Sequence, residues 1–138
     1  MTPPHPGPLA VWHAYNDASN AGDHDTAARY LDPGLAVLVN GEPAVSSVEQ
    51  DRAVQTELLR RYPDYRRDAV AGFEAGDLAT VEWRMRGTSA VPGVTDLDVA
   101  GVSIVRLVAG RLAAARLYHP TGALDAVTAD ALGRSNDV

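Results

Sequence analysis

The sequence predicts an α+β fold in which a curved, mostly antiparallel sheet wraps around N-terminal helices, giving a cone-shaped α+β barrel that encloses an apolar pocket. Three observations predict it. Apolar residues recur at helical spacing through most of the chain up to Tyr62. The period then changes to two, most clearly over 80–86, where Val81, Trp83 and Met85 share one face and Glu82, Arg84 and Arg86 the other. The later segments are separated only by Ala75-Gly76-Asp77, Pro92-Gly93 and Ala109-Gly110, turn signals that make successive strands antiparallel neighbours. Helices first and an antiparallel sheet afterwards pack as a layer of helices on one sheet face, and strong curvature of that sheet leaves a hollow cone.

Each element has its own warrant. Leu9, Val11, Trp12, Tyr15 and Ala18 predict a first helix over Leu9–Ala21, stopped by Gly22. A short second helix is expected over Asp25–Leu31, with acidic residues at its start and Pro33-Gly34 after it. Leu35–Val39 reads as a buried strand. Ser46 or Ser47 caps a third helix through Tyr62, with Val48, Val54, Leu58, Leu59 and Tyr62 as its stripe and Pro63 as its breaker. Strands are expected over Tyr65–Glu74, Leu78–Ser89, Leu97–Val108 and Leu112–His119, and a last helix over Ala123–Leu132 ends at Gly133.

Composition bounds the function. A chain of 138 residues, 46% hydrophobic, builds one core, so residues 1–138 are expected to form a single domain with 1–8 frayed and 134–138 a polar tail. A net charge of −6 with no lysine removes the basic footprint that nucleic acid or anionic lipid requires. All twelve basic residues are arginines, a composition suggestive of a GC-rich bacterial genome. Zero cysteines exclude disulfides, thiolate nucleophiles and thiolate-held metal centres. No stretch has the apolar length of a membrane span or the pattern of a signal peptide, so a cytoplasmic location is expected.

Several strings, in this order and spacing, resemble the nuclear transport factor 2-like superfamily and, within it, the SnoaL-like polyketide cyclases. They are Asn20-Ala21-Gly22-Asp23, Tyr62-Pro63-Asp64-Tyr65, Val81-Glu82-Trp83 after Ala75-Gly76-Asp77, Arg86-Gly87-Thr88, and Gly101–Arg106 followed by Gly110-Arg111-Leu112. The resemblance runs from Val11 to Leu124. It implies the cone, a small-molecule substrate, no cofactor and a homodimer paired through the outer sheet face. The fold hosts isomerases, cyclases, epoxide hydrolases, dehydratases and inert binding proteins, so function rests on the site.

Tyr15 stands where the ketosteroid isomerases, distant relatives by this resemblance, place a tyrosine that donates to a developing oxyanion; the bland alternative is a core tyrosine bonded to a backbone carbonyl. That isomerase pattern puts its catalytic aspartate near Val39 or Asn40 and its second aspartate at Ser103, so both acids are absent here. The cyclases' catalytic aspartate falls on Pro120. Its neighbour His119 is then the candidate general acid or base, because imidazole titrates near neutrality unaided; the alternative is a rim histidine. Ser103 shares an inward face with Val105 and Leu107, where its hydroxyl needs a partner, and no Gly-x-Ser-x-Gly elbow marks it as a nucleophile. Trp83 and Met85 form an apolar wall suited to a flat polycyclic or polyene substrate. Arg84, Arg86, Arg106, Arg116 and Glu82 read as solvent or subunit interface. His13 and the Asp23-His24-Asp25 cluster fit a helix start better than a metal site, and the facing of Asp51 and Gln55 on the third helix stays open.

The function expected from these residues is a cofactor-independent cyclisation or isomerisation of an apolar, polyketide-like molecule in specialised metabolism. His119 would move the proton, Tyr15 or Ser103 would steady the enolate-like oxygen, and Val39, Asn40, Val105, Trp83 and Met85 would shape the substrate site. A dehydratase or epoxide-opening cyclase would use the same parts. A non-catalytic binding or assembly protein is the rival, favoured by Pro120.

Overall fold

The structure, a computed structural model, describes residues 6–134. The expected frayed start and polar tail fall mostly on 1–5 and 135–138, outside the described residues, and the first helix already begins at Pro8.

Helix α1 (Pro8–Asn20) opens on Gly7 with Pro at its first position, where a missing N–H costs no hydrogen bond. Of the stripe read from the sequence it buries Val11, Trp12, Tyr15 and Ala18, with Leu9 partly buried, and it buries Asn16 and Ser19 as well. Helix α2 is shorter than expected (His24–Ala28), because the Asp23 side chain caps it by accepting from Thr26 N at 3.1 Å and the chain then turns into a strand at Leu31. Strand β1 (Leu31–Val39) therefore includes Pro33 and Gly34, which were expected to follow a helix. Its pairing is irregular between Leu31 and Ala36, where Pro33 has no N–H to donate to a ladder.

Strand β2 (Glu42–Val45) was not anticipated. Asn40 (φ 50°) and Gly41 (φ 87°) form a tight left-handed turn that folds β2 antiparallel onto β1; an Asn-Gly pair is the strongest short-range hairpin signal. Helix α3 (Val48–Arg61) is capped by Ser47, whose hydroxyl accepts from Gln50 N. Strands β3 (Arg66–Ala75), β4 (Leu78–Gly87), β5 (Leu97–Val108) and β6 (Arg111–Tyr118) follow as expected to within two residues, and α4 (Ala123–Ala131) closes the described chain.

The six strands form one curved sheet in the order β2-β1-β6-β5-β4-β3, antiparallel except for β1 against β6, and it stays open, with β2 and β3 as edges. Helix α1 lies across β3 to β6, and α3 packs against β1 and α4. The core is centred on Trp12, Leu58, Tyr62, Val81, Trp83 and Val127. On β4 the alternation holds: Val81, Trp83 and Met85 are buried, whereas Glu82, Arg84 and Arg86 face outward, Arg84 pairing with Asp98 at 2.8 and 2.9 Å. No described helix is long and apolar enough to cross a membrane.

Candidate functional site

The concave face of the sheet and helices α1, α3 and α4 enclose a cavity of about 110 Å³. That is the order of size of a chamber that holds a single ring, an engineered void of roughly 150 Å³ being enough for benzene. Its walls are largely apolar, with Leu35, Val37, Leu58, Met85, Val105 and Leu117 among them. A second recess of about 210 Å³ lies outward between β1, β2 and α4, and His119, Val39, Ala44 and Thr128 line both spaces.

Seven polar residues reach the inner chamber: Tyr15, Asp51, Gln55, Arg67, Ser103, His119 and Thr128. The Tyr15 hydroxyl donates to the Asp51 carboxylate at 2.9 and 3.1 Å, and Gln55 Nε2 lies 3.5 Å from the same hydroxyl. Tyr15 therefore meets no backbone carbonyl; its hydroxyl, at the chamber wall, is engaged by an acid that the sequence reading left unplaced. Burial, and next the charge of Asp51, push the Tyr15 phenol well above its ordinary range, so it stays protonated. Burial likewise raises the Asp51 carboxyl above its usual value, against the lowering effects of the Tyr15 hydrogen bond and the Arg67 charge. A carboxyl poised upward in this way is suited to carrying a proton to and from a substrate.

Ser103 lies on β5 with its hydroxyl oxygen accepting from Trp83 Nε1 at 2.8 Å. A hydroxyl that accepts there keeps its own proton to donate elsewhere. Trp83 is thus not a wall of the chamber, as expected from its inward face, but a fully buried support behind Ser103. Met85, Val39 and Val105 do line the chamber.

His119 follows the last residue of β6 and is half-buried. Its Nδ1 lies 2.8 Å from the Pro120 carbonyl oxygen. A carbonyl only accepts, so Nδ1 carries the proton and neutral His119 keeps its lone pair on Nε2. Asn40, expected among the substrate-binding residues, is instead exposed in the β1–β2 turn: its Nδ2 donates to His119 O at 2.9 Å and its Oδ1 accepts from His119 N at 3.2 Å. It fixes the backbone that carries the imidazole and does not reach the chamber.

Arg67 is the residue that the sequence reading missed. It is only 5% exposed, at the centre of an arginine-rich string that reads as a solvated face. The register with β4 sets it opposite buried Met85 and so turns it inward. Asn16 Oδ1 accepts from its Nε at 2.7 Å, Asn16 Nδ2 and Asn20 Nδ2 both donate to its carbonyl at 2.9 Å, and its N–H donates to Asn20 Oδ1 at 2.9 Å. The Asn20 string that carried the resemblance thus holds Arg67 in place. Among the described residues no group of three or more His, Asp or Glu side chains is placed to hold a metal ion.

Comparison with known proteins agrees with this architecture. A SnoaL-like polyketide cyclase, provisionally described as such, from Jannaschia sp. CCS1 is 20% identical, with 94% of each chain covered and a TM-score of 0.72. IdmH, provisionally described as a polyketide cyclase, from Streptomyces antibioticus is 18% identical over 91% of this chain and 98% of its own, also at TM-score 0.72. AclR from Streptomyces galilaeus, provisionally described as a hydroxylase, is 16% identical over 88% and 95%, at 0.71. At such identities the likeness is one of fold. No curated protein matches the sequence significantly. The sequence itself matches the SnoaL-like domain over residues 12–115, three-quarters of the chain, with His119 and the α4 wall of the chamber lying beyond the match, and the protein belongs to the SnoaL-like family.

Proposed function

We propose that the protein is a cofactor-independent cyclase or isomerase that moves a proton on an apolar, polyketide-like molecule held in the chamber. The observation that carries this reading is the convergence, on one apolar cavity, of an imidazole with its lone pair on Nε2, a serine hydroxyl free to donate, and a carboxyl–phenol pair. His119 Nε2 takes a proton from a carbon next to a carbonyl, and the electron pair moves onto the carbonyl oxygen. The Ser103 hydroxyl donates to that enolate oxygen, an interaction strengthened by the apolar surroundings. In an isomerisation His119 returns the proton at a different carbon. In a cyclisation the enolate carbon attacks a second carbonyl, and the resulting alkoxide takes a proton from the Asp51 carboxylic acid, relayed by the Tyr15 hydroxyl; His119 and Asp51 then exchange protons with water. Walls that hold a flexible chain folded lower the entropic part of the barrier. The same groups would serve a dehydratase or an epoxide-opening cyclase.

The second reading, a binding or assembly protein without chemistry, is favoured by Pro120, which stands where the resemblance places the cyclases' acid. Asp51 supplies a carboxyl from another element, which supports the enzyme. Native mass spectrometry of the protein from its producer identifies the bound compound, and proton NMR of that compound in D₂O tests the step. Protein-dependent deuterium uptake at a carbon beside a carbonyl is expected. A compound that binds yet neither exchanges nor converts would contradict the enzyme reading and leave the binding protein.

The proposal includes a cytoplasmic, bacterial homodimer. Phe73, Thr80, Ile104 and Arg116 form one row across the outer face of the sheet, next to a row containing Val102 and Tyr118. Phe73 is 69% exposed, and such an apolar strip framed by charged residues suits a partner copy.

A further inference from the structure

Arg67 presents a buried positive charge that forms no ion pair among the described residues. Asp51, the buried carboxyl whose titration the Arg67 charge does influence, is bonded to the Tyr15 hydroxyl and makes no direct contact with the guanidinium. Asn16 takes only the Nε–H, and Arg67 Nη2 is buried with no hydrogen-bond partner although the residue lines the chamber. Native proteins rarely leave such a donor unmet, and a buried guanidinium without a counter-charge is disfavoured still more strongly. The group is nevertheless held rigidly. Its carbon sits 5.0 Å from the centroid of the Trp12 ring and 5.9 Å from those of Tyr15 and Trp83, and the two asparagines fix its backbone. Aromatic faces offset part of the charge but accept no N–H bond in the plane of the guanidinium.

We propose that Arg67 is a receptor for a planar two-oxygen anion on the substrate, a carboxylate or the enolate of a 1,3-dicarbonyl, docked against the Nη edge of the guanidinium in the inner chamber. A neutral carbonyl would fill the missing hydrogen bond but leave the charge unmatched, whereas an anion answers both and gains the stronger, charge-assisted bond. Because Nε is already committed to Asn16, the remaining Nη edge sets the orientation, and the rest of the substrate points along the chamber toward Ser103 and His119. Arg67 is thereby a specificity-determining residue: it selects acids or enolised diketones over neutral molecules of the same shape. The inference rests on the inner chamber being the substrate site of the proposed enzyme.

The test is isothermal titration of the full chain at neutral pH with four one-ring probes: benzoate, benzamide, cyclohexane-1,3-dione (an enolate at this pH) and cyclohexanone. Wild type is expected to bind benzoate at least tenfold more tightly than benzamide, or the dione at least tenfold more tightly than cyclohexanone; which pair shows the preference tells carboxylate from enolate. Arg67→Met, checked for folding by near-ultraviolet circular dichroism, is expected to lose the preference and keep its affinity for the neutral member. Equal affinities within both pairs in wild type, or no binding of either anion at millimolar concentration, overturns the proposal whether or not the variant folds. A preference that survives in folded Arg67→Met overturns it as well. These readouts do not depend on turnover: anion selectivity without proton exchange would leave Arg67's role standing and remove the catalytic reading, and the converse would do the reverse.

Discussion

Asp51 shows how a single side chain is tuned by its position. It lies in the first turn of α3, accepting from the Tyr15 hydroxyl at the chamber wall, and burial raises its carboxyl above the ordinary value of 3.8. Since the folded protein then holds the proton more tightly than the unfolded chain, the associated stability is complete below the unfolded value. It is lost as pH rises through the folded one. Asp51→Asn keeps an acceptor for Tyr15 and has no charge to bury. Its urea midpoint is therefore expected to gain on wild type as pH rises from about 3.8 toward neutrality, with any offset from the altered Tyr15 bond constant across pH. Parallel curves would show that the charge of Asp51 is not disfavoured by the fold. At this scale the sequence was partly legible. Ser103 and His119 were recognisable, one by its inward place in an alternating strand and the other as a lone imidazole at a strand end. Asp51 and Gln55 are four residues apart, and Leu58 three further on, so they share a helical stripe, but sequence periodicity does not say what that stripe faces. Arg67 was hidden because all four residues over 66–69 are charged or small, and only pairing with β4 fixes which of them turns inward.

Among the elements, β4 and β5 hold the supporting layer behind the site. Trp83 pairs with Gly101 across these strands, and a methyl group built on Gly101 would come within 2.4 Å of the indole ring. Glycine is required there so that Trp83 can lie flat against β5 with its Nε1–H on Ser103. Gly101→Ala is expected to cost about 1–3 kcal/mol by overpacking and to alter tryptophan fluorescence as the indole moves away from Ser103. Unchanged thermal stability and an unchanged spectrum would refute this account of the layer. The long strands were legible because their alternation is regular and their turns are short. Strand β1 was obscured by Pro33-Gly34, which reads as an interruption and proves to be an irregularity within a strand. Strand β2 is four residues long, too short for a periodicity to show; its only signal was the Asn40-Gly41 turn.

At the scale of the whole molecule, the sheet has two faces with different tasks. The concave face closes the chamber with α1, α3 and α4, and the convex face carries Phe73, Ile104, Val102 and Tyr118. A bulge between Ala69 and Ala71 shifts the alternation of β3, turning Phe73 outward after Arg67 has turned inward. Size-exclusion chromatography with light scattering is expected to give a dimer mass for wild type and a monomer mass for Phe73→Glu; a monomeric wild type would contradict the pairing. In the proposed function His119, held by Asn40 and oriented by Pro120, moves a proton on a bound small molecule. The most direct measurement is the rate at which wild type and His119→Ala convert the compound found in the native protein. A fall of about 10²–10⁴-fold is predicted, the usual worth of a positioned general base, with binding retained. Equal rates, or binding with no conversion by either protein, would contradict it.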